Sequence, residues 1–416
     1  MEYYIKYKYK VISLIYLKGT FMKISKKAQS IPSSMTLEIS AKVKQLKSEG
    51  KSIIGFTAGE PNFNTPDYII ESAKESLDKG QTKYTPVAGI PELKNAIVQK
   101  FKRDNGLDYD ASQIIVSDGA KSSLFHAIYC LVDDGDEVIL PAPFWFTYEE
   151  QVKICGGKPV IFNTKRENGY KITASELESV ITEKTVALIL NSPSNPTGAI
   201  YSEEELRAIA KVVEKHNIAV ISDEIYEKLI YGDAKHVSIA SLSPYMKENT
   251  IVVNGVSKTY AMTGWRIGYL AAPKALAAAI NRVQGHTTSN ACSFAQYASV
   301  TALNGGEDIV ESMRKEFDER RKYMCSLLDE MQVPYIKPQG AFYLFIDISN
   351  IIGKEIDGKV IDGSMAFASI LTENGVALIP GLPFHADNFV RVSYAVSMED
   401  IKEGFARIKS FLEKLK

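Results

Sequence analysis

Residues 255–268 read GVSKTYAMTGWRIG and place one lysine, Lys258, where an apolar strand ends, with Arg266 eight residues later. Small residues around this pair let the backbone approach a flat ring or an anion closely. They are Gly255, Ser257, Gly264 and Gly268. A lysine in such surroundings can hold an aldehyde cofactor, whereas a lone lysine after an apolar strand is more often a solvated strand end. The stretch therefore needs support from the rest of the chain.

The chain around this stretch alternates short β-like runs with helical patterns, from about residue 114 to residue 270. Such alternation predicts a mostly parallel sheet that is covered by helices on both faces. In open α/β sheets, small molecules bind in the crevice at the carboxyl ends of the strands. The polar residues that follow each apolar run are therefore the candidates for a binding site.

The run NIAVISDEIYEKL, residues 217–229, predicts a strand over residues 218–222 that ends beside Asp223 and Tyr226. If the cofactor is pyridoxal 5′-phosphate (PLP), Lys258 would be its Schiff-base lysine and Asp223 would keep its pyridine nitrogen protonated. The Tyr226 hydroxyl could then donate to the phenolic oxygen of the ring. The alternative is that Asp223 and its neighbour only solvate the strand end or cap a helix.

An anion site is indicated by IIVSDGAKSS, residues 114–123, where a predicted strand over residues 114–117 is followed by Gly119 and Ala120 at the start of an apolar helix. Free backbone N–H groups and the positive end of the helix dipole would point at the phosphate. Ser257 and Arg266 could complete the site with a hydroxyl and a rigid cationic fork. Taken alone, the run is also compatible with an ordinary strand-to-helix turn.

The run ALILNSPSNPTGAIYSEEEL, residues 187–206, continues a predicted strand over residues 186–190 into a loop of Asn, Ser and Pro. The amide of Asn195 could donate to the phenolic oxygen from the side opposite Tyr226. The alternative is a simple β-turn, since these residues are the usual turn formers. Ser202 with Glu205 three residues later predicts a capping box at the start of the next helix.

Three further residues could face a substrate. Trp145, in EVILPAPFWFTYEE, could stack on the ring or line the pocket, although an aromatic residue there is more often core. Arg391, in FVRVSYA, could bind a carboxylate through a bidentate fork, although the alternation of the run favours a solvent-facing strand residue. Gly59, in TAGEP, could let a backbone group reach the substrate, or it could simply form a turn.

Taken in their order along the chain, these runs resemble the class I PLP-dependent aminotransferases of fold type I, and they are similar to the bacterial and archaeal aspartate aminotransferase subgroup. The similarity begins around Ser33 and extends over most of the sequence. Its motifs are TAGEPNFNTPDYI, KYTPVAGIPELKNAI, SDGAKSSLF, PAPFWFTY, NSPSNPTG, SDEIY, GVSKTYAMTGWRIGY, GAFY and FVRVSYA. Seven or more motifs in the family's order are hard to obtain by chance.

The resemblance implies a role for each matching residue, with Lys258 as the catalytic lysine. The implied cofactor-binding residues are Lys258, Asp223, Tyr226, Asn195, Trp145, Gly119, Ala120, Ser257, Arg266 and, from the neighbouring subunit, Tyr84. The implied substrate-binding residues are Gly59, Trp145, Asn195, Arg391 and Lys121. No metal is expected, and the resemblance implies a homodimer with shared active sites.

The implied activity is the transfer of an amino group between L-aspartate or glutamate and a 2-oxo acid such as 2-oxoglutarate. The enzyme would alternate between PLP and pyridoxamine phosphate, which predicts ping-pong kinetics. An acidic substrate needs a second cation, and the resemblance implies Lys121 for this role. The alternative is a solvated lysine in the first helical turn, although a cation there would oppose the helix dipole.

Three alternatives to an aspartate enzyme stay open. An aromatic, prephenate or broad-specificity aminotransferase would use Phe144, Trp145 and Phe384 as an adaptable pocket. A PLP-dependent C–S lyase would share Lys258, Asp223 and Arg391. The aminotransferase-like module of a transcriptional regulator is the remotest alternative, because the matching region starts near Ser33 and no basic recognition helix is visible.

Composition agrees with a cytoplasmic enzyme of small-molecule metabolism. The 49 Lys and Arg residues balance 50 Asp and Glu residues, so nothing indicates nucleic acid or an anionic membrane surface as a partner. The four cysteines show no C-x-x-C pair and no ligand spacing with the five histidines, which indicates reduced packing residues. No apolar stretch is long enough to span a bilayer.

The expected fold is an α/β protein of PLP fold type I. It has a large domain with a mostly parallel sheet flanked by helices, plus a smaller discontinuous α/β domain. Residues 1–21 are expected to be a non-native or disordered extension, with Met22 as the biological start. Residues 22–64 would pack with the small domain, residues 65–304 would form the large PLP-binding domain, and residues 305–416 would form the small C-terminal domain.

Overall fold

The computed structural model describes residues 23–33 and 35–415, so the predictions for residues 1–21 and Met22 lie outside the described residues. The two described ranges belong to separate compact units. In the first unit, the helix Lys26–Ser30 begins after Ser25, whose hydroxyl accepts a hydrogen bond from the backbone N–H of Ala28 at 3.1 Å. The elements described below belong to the second unit.

A seven-stranded sheet lies at the centre of the second unit. The strands of the unit, in chain order, are β1 (Ile54–Gly55), β2 (Ile114–Ser117), β3 (Glu137–Ala142), β4 (Lys158–Asn163), β5 (Thr185–Asn191), β6 (Ala219–Asp223), β7 (Thr250–Gly255), β8 (Gly268–Ala271), β9 (Tyr335–Ile336), β10 (Tyr343–Asp347), β11 (Glu355–Ile356), β12 (Lys359–Val360), β13 (Val376–Ala377), β14 (Ile379–Pro380) and β15 (Phe389–Ser393). The central sheet has the order β2-β8-β7-β6-β5-β3-β4. Of its described strands only β8 is antiparallel to its neighbours, so the prediction of a mostly parallel sheet is confirmed.

Helices connect most of these strands, as expected for parallel pairs that need long crossovers. The α-helices of the second unit are Met35–Ser48, Asp67–Asp78, Pro91–Asn105, Ala120–Leu131, Thr147–Ile154, Ala174–Val180, Glu203–His216, Pro244–Glu248, Lys274–Thr287, Ser293–Asn304, Glu307–Glu330, Ser364–Glu373 and Met398–Leu412. Short 3₁₀ turns lie at Ala111–Gln113, Arg166–Asn168, Ile239–Leu242, Thr263–Trp265 and Leu382–Phe384. Among the described residues, no helix combines the length and the apolar character that crossing a membrane requires.

Both faces of the central sheet are buried, which explains its continuous apolar runs. Within β5, Ala187 and Ile189 contribute to one hydrophobic cluster, whereas Leu188 and Leu190 contribute to another. Because alternate strand residues point to opposite faces, these two clusters lie on the two sides of the sheet. The sheet is therefore a rigid platform whose polar residues are confined to the strand ends.

Local sequence signals set the element boundaries closely. The predicted capping box is present: the side chains of Ser202 and Glu205 cap the start of the helix Glu203–His216, which ends at Asn217 in the left-handed conformation. β2 has the predicted bounds. β5 and β6 each extend one residue beyond the predicted apolar run, so Asn191 and Asp223 are the last residues of their strands.

A four-stranded antiparallel sheet, with the order β14-β15-β10-β9, forms from the C-terminal third of the chain. The alternation that favoured a solvent-facing Arg391 in β15 proves misleading, because all five residues of this strand are buried. The physical reason is that β15 lies between β10 and β14 and is covered on both faces: Val390 and Val392 contact one hydrophobic cluster and Phe389 contacts another. Separately, β1 pairs in parallel with β13.

Candidate active site

The parallel strands β5, β6 and β7 bring their carboxyl ends to one edge of the central sheet. Asn191, the last residue of β5, pairs with Asp223, the last residue of β6. The Asn191 side-chain amide donates to the Asp223 carbonyl oxygen at 2.9 Å, which ties the two strand ends together. The polar residues predicted from separate runs therefore converge at this edge.

The loop 256–267 leaves β7 and re-enters the sheet through antiparallel β8 at the same edge. Gly255 and Gly268 face each other across the ladder and hold the two ends of this loop together. Lys258 and Arg266 lie on this loop. Ser257, which directly precedes Lys258, is buried. The local topology thus explains why both cations of the GVSKTYAMTGWRIG run face one site.

Lys258 is the central cation of this site. Its Nζ donates to the carbonyl oxygen of Gly59 at 2.6 Å, which brings the TAGEP loop against the lysine loop. Burial lowers the pKa of Lys258 to about 8; Glu60 opposes this shift, while Arg266 and Arg391 add to it. A lysine with this pKa is partly uncharged near neutral pH, as a nucleophile or base must be.

Asp223 is a buried carboxylate at the end of β6. It accepts hydrogen bonds from the Tyr148 hydroxyl at 2.7 Å and from the backbone N–H of Ile225 at 3.2 Å. Burial raises the pKa of Asp223 to about 6, although the Tyr148 bond acts in the opposite direction. The carboxylate is positioned rigidly and interacts electrostatically with Lys258. Sequence reasoning missed Tyr148, although it ends the PAPFWFTY motif.

Arg391 lies only 3% exposed in β15, and its guanidinium lies close to two aromatic rings. Its Cζ is 4.3 Å from the centroid of the Tyr343 ring and 5.4 Å from that of Phe384. Nη1 donates to Oδ1 of Asn195 at 3.0 Å and Nη2 to the Thr57 carbonyl oxygen at 3.4 Å. Among the described residues no carboxylate pairs with this guanidinium, and its Nε has no hydrogen-bond partner.

A buried guanidinium without an anionic partner is costly, on the order of several kcal/mol, unless a ligand supplies the charge. Burial accordingly lowers the pKa of Arg391, while the nearby hydroxyls of Tyr343 and Tyr226 raise it. The arrangement fits a planar anion such as a carboxylate, which a guanidinium binds through two parallel hydrogen bonds.

Tyr226 lies beside this arginine, and its hydroxyl is 3.0 Å from the hydroxyl of Tyr343 in β10. Burial raises the pKa of Tyr226 well above 10, so the hydroxyl stays protonated and can act as a donor. Tyr343 was not assigned a role from the sequence, although it ends the GAFY motif. Its contacts with both Tyr226 and Arg391 make it part of the site.

The predicted anion site lies where the helix Ala120–Leu131 begins. Gly119, with φ +82°, comes so close to Arg266 that an added Cβ would lie 2.3 Å from its Nη2. A Cβ on Gly268 would lie 2.1 Å from the backbone nitrogen of Ala120. Arg266 donates to the carbonyl oxygens of Thr263 at 3.0 Å and Asp118 at 3.1 Å. The helix N-terminus is thus in contact with a guanidinium that forms no ion pair within the described part of the chain, as a phosphate site requires.

Lys121 and Trp145 lie together at the border of the site, with Lys121 Nζ 4.7 Å from the centroid of the indole ring. Partial burial and then the charge of Arg266 lower the pKa of Lys121. The indole also packs edge-on against Tyr148 at 5.5 Å, which links it to the Asp223 side of the site. The structure therefore brings both residues to the same group as Asp223.

Tyr84 is the one predicted residue that does not join this group. Its side chain is 92% exposed and makes no hydrogen bond or ring contact with another described residue. The resemblance assigns Tyr84 to the site of a neighbouring subunit.

Glu224, Glu227 and His236 form a buried group behind Asp223 whose ligand-type atoms all lie within 4.8 Å of one another. Their charges are paired within the protein. Glu227 forms an ion pair with Lys100, and Nε2 of His236 lies 3.0 Å from Glu224. The group anchors the turn that carries Tyr226.

Comparisons with known proteins extend over nearly the whole chain. The sequence profile of the family described as "Aminotransferase class I and II" matches residues 51–408. The aspartate aminotransferase of Bacillus subtilis (strain 168) is 47% identical over 394 residues, which cover 94% of this chain and 100% of that protein. A probable aspartate/prephenate aminotransferase of Aquifex aeolicus (strain VF5) is 43% identical over 396 residues, covering 94% and 99%. The crystal structure of the aspartate aminotransferase from Rhizobium meliloti matches with a TM-score of 0.92 at 40% identity, covering 95% and 100%.

Proposed function

This chain belongs to the class I and II aminotransferases, and from that premise we propose that it transfers the amino group of L-aspartate, or of glutamate, to a 2-oxo acid such as 2-oxoglutarate. The names of the relatives support the choice of substrate. One structural observation carries the proposal: Arg391 is buried without a carboxylate partner among the described residues and interacts electrostatically with Lys258. Amino acids and 2-oxo acids both carry the carboxylate that such a guanidinium binds.

The family implies PLP, and the residues of the site fit this cofactor. Gly119 lies so close to Arg266 that a Cβ would not fit between them. The backbone N–H groups at the helix start and the Arg266 guanidinium can therefore bind the same phosphate. The residues proposed to hold PLP are Lys258, Asp223, Tyr226, Asn195, Trp145, Gly119, Ala120, Ser257, Arg266 and the neighbouring subunit's Tyr84. When bound, PLP supplies an aldehyde carbon that accepts the amino group and a ring that withdraws electrons from the adjacent carbon.

Arg391 would orient the substrate before the chemistry. Because Asn195 accepts a hydrogen bond from one arm of the guanidinium and the rings of Tyr343 and Phe384 lie against it, the fork is held in position for an incoming α-carboxylate. The same rings exclude water from the ion pair, which strengthens it. Gly59, which lacks a side chain, leaves room at the lysine for the substrate.

Lys258 would carry the proton that the reaction moves. With a pKa of about 8, roughly one tenth of its amine is neutral at pH 7. The neutral Nζ can take the proton from the α-carbon of the substrate and return it later. Asp223, with a pKa of about 6, is mostly ionised at pH 7 and can hold a proton on a ring nitrogen. Tyr226 and Asn195 would donate hydrogen bonds to the ring oxygen.

The side-chain carboxylate of an acidic substrate would bind Lys121. The closeness of Lys121 to Trp145, and its lowered pKa, support a cation that is partly withdrawn from water and therefore stronger as an ion-pair partner. The aromatic or prephenate alternative has support of its own, since Phe144 and Phe384 lie near this region and one relative is named as an aspartate/prephenate enzyme.

We propose a homodimer in which Tyr84 reaches the neighbouring site, as the resemblance implies; its 92% exposure leaves the side chain accessible to a second subunit. A cytoplasmic location remains our proposal as well; the absence of a disulfide among the described cysteines agrees with a reducing compartment.

The test is an absorbance spectrum of the purified holoenzyme before and after adding L-aspartate without any 2-oxo acid. Conversion of the cofactor band together with stoichiometric oxaloacetate release would establish the first half of the transfer. Lys258→Ala is the control and should leave the band unconverted. An unchanged band with aspartate but conversion with phenylalanine would favour the aromatic alternative. Pyruvate and ammonia as products would favour a lyase.

A further inference from the structure

Two loops from distant parts of the chain meet over the proposed carboxylate site. The first is the Phe384 turn, residues 381–385, which joins β14 to β15 and covers the guanidinium of Arg391 with the ring of Phe384 at 5.4 Å. The second is the aromatic loop, residues 144–146, which follows β3 and carries Trp145. The ring centroids of Phe384 and Phe146 are 6.2 Å apart, so the loops pack directly against each other.

A hydrogen bond joins the Phe384 turn to the helix that follows the aromatic loop, and the proposed chemistry does not use it. Nε2 of His385 lies 2.7 Å from Oε2 of Glu149, which belongs to the helix that follows the aromatic loop. The imidazole also packs on the ring of Phe144 with a centroid distance of 5.1 Å. The hydrogen bond to His385, and then Lys153, lower the pKa of Glu149 to about 2, so this carboxylate stays ionised at all working pH values.

The contact is only partly exposed, with the His385 side chain 31% and the Glu149 side chain 17% accessible. A charge-assisted hydrogen bond in such a position is stronger than a fully solvated one. His385 also holds a left-handed backbone conformation with φ +62°, which closes the Phe384 turn and aims the imidazole at the helix. The pair therefore has a fixed geometry.

We propose that the His385–Glu149 pair is a clamp that sets substrate affinity by holding the Phe384 turn against the aromatic loop. This inference rests on the proposed function, since it places the α-carboxylate at Arg391 and the substrate side chain near Trp145. The clamp fixes the spacing between these two walls. His385 and Glu149 are positioning residues, because they act through Phe384 and Trp145 and do not touch the reacting atoms.

The experiment compares the holoenzyme with His385→Gly, Glu149→Gln and Lys153→Gln. Glycine adopts the left-handed conformation without strain, so His385→Gly removes the imidazole and keeps the turn. Lys153 is the other partner of Glu149, at 2.6 Å within the same helix, so Lys153→Gln removes an ion pair of Glu149 without touching the contact between the loops. Each protein is assayed with L-aspartate, and the dissociation constant of maleate, a dicarboxylate without an amino group, is measured by calorimetry.

A clamp predicts that His385→Gly and Glu149→Gln raise the KM for aspartate and the Kd of maleate by about five- to tenfold, while kcat changes less than twofold. Lys153→Gln should change neither constant by more than about twofold. Unchanged affinity in the first two variants, an equal loss in all three, or a fall in kcat at constant KM would each overturn the clamp.

Failure of the proposed substrate class would be visible separately, in the wild-type protein. If that protein does not bind maleate, the same variants are compared with 3-phenylpropionate as the probe. The clamp then predicts the same ratio of variant to wild-type dissociation constants for 3-phenylpropionate as for maleate, because both probes bind the α-carboxylate wall. Equal constants in the variants and the wild-type protein would overturn it.

Discussion

Lys258 illustrates how one residue acquires its reactivity from burial. Its pKa of about 8, against 10.5 for an ordinary lysine, means that the neutral amine appears at a lower pH. Because only the neutral amine attacks an aldehyde, we expect the rate of PLP uptake by the apoenzyme to rise from pH 6 and to level off with a midpoint near 8. Stopped-flow absorbance between pH 6 and 9.5 measures this midpoint.

Glu60 provides the control for this prediction, since its charge raises the pKa of Lys258. Glu60→Gln should move the midpoint to lower pH, because it removes a charge that favours the protonated amine. A midpoint near 10 in the wild-type protein would show that Lys258 is solvated like an ordinary lysine and would contradict the assignment.

Lys121 determines the preference for acidic substrates if the proposed site is correct. Lys121→Ala should raise the KM for aspartate by about ten- to a hundredfold, because it removes the partner of the distal carboxylate, and should change the KM for phenylalanine by less than threefold. Steady-state kinetics with both donors gives the ratio. Equal effects on the two donors would refute the role of Lys121.

Residue identities could be predicted from the sequence where a motif places them at a strand end, as for Asp223 and Lys258. Their partners could not be predicted. Tyr148 reaches Asp223 across 75 positions of the chain, and Tyr343 reaches Tyr226 across 117. Such contacts depend on how helices and sheets pack, which no local pattern records.

At the scale of the elements, β8 packs closely against the start of the helix Ala120–Leu131 at the proposed phosphate site. Gly268→Ala should destabilise the protein by about 1–3 kcal/mol and weaken PLP binding, because a Cβ would collide with the backbone of Ala120 at 2.1 Å. Gly264→Ala, in the loop that leads into β8 and with open space around it, should change stability by less than about 0.5 kcal/mol. Urea denaturation of the apoenzymes and PLP titration compare the two variants, and equal values would contradict the crowding argument.

The buried group around Glu227 ties the helix Pro91–Asn105 to the turn after β6. Burial raises the pKa of Glu227, but the charges of Lys100 and His236 outweigh this effect and hold it at about 2, below the ordinary 4.5. When folding lowers the pKa of an acid, the folded state is stabilised at pH values above the ordinary pKa of that acid. For Glu227 this stabilisation is lost as the pH falls from about 4.5 to 2.

We therefore expect the stability difference between the wild-type protein and Glu227→Gln to be about 2–3 kcal/mol at pH 7 and to shrink as the pH falls toward 3. Urea denaturation at several pH values measures the difference. Glu330→Gln, at an exposed position on the helix Glu307–Glu330, serves as the matched control. A difference that stays constant with pH would contradict the ion-pair explanation.

At the scale of the whole molecule, we propose that, of the segment expected over residues 22–64, residues 35–64 pack with a small domain of residues 305–416, and that residues 65–304 form the large domain. The parallel pairing of β1 with β13 supports the first part of this division. The alternation of strands and helices over residues 114–270 was enough to predict the central sheet. The burial of both faces of β15 was not predictable, because the covering residues come from several separate segments.

The proposed dimer can be tested by complementation between two inactive variants. Lys258→Ala lacks the lysine, and Tyr84→Ala lacks the residue assigned to the neighbouring site. In a mixed dimer, one site would have both residues, so subunit exchange should restore about a quarter of the wild-type activity. Activity that does not rise on mixing, or full activity in isolated monomers, would contradict shared sites.

The hydrogen bond from Arg391 to the carbonyl oxygen of Thr57 joins residues that are 334 positions apart. A ribosome that adds roughly 5–20 residues per second needs about 15 seconds to a minute for that interval. During this time the loop around Thr57 has emerged while its partner strand has not yet been made. The nascent chain therefore cannot complete its substrate site until β15 has been made, so no turnover can come before the synthesis of that strand.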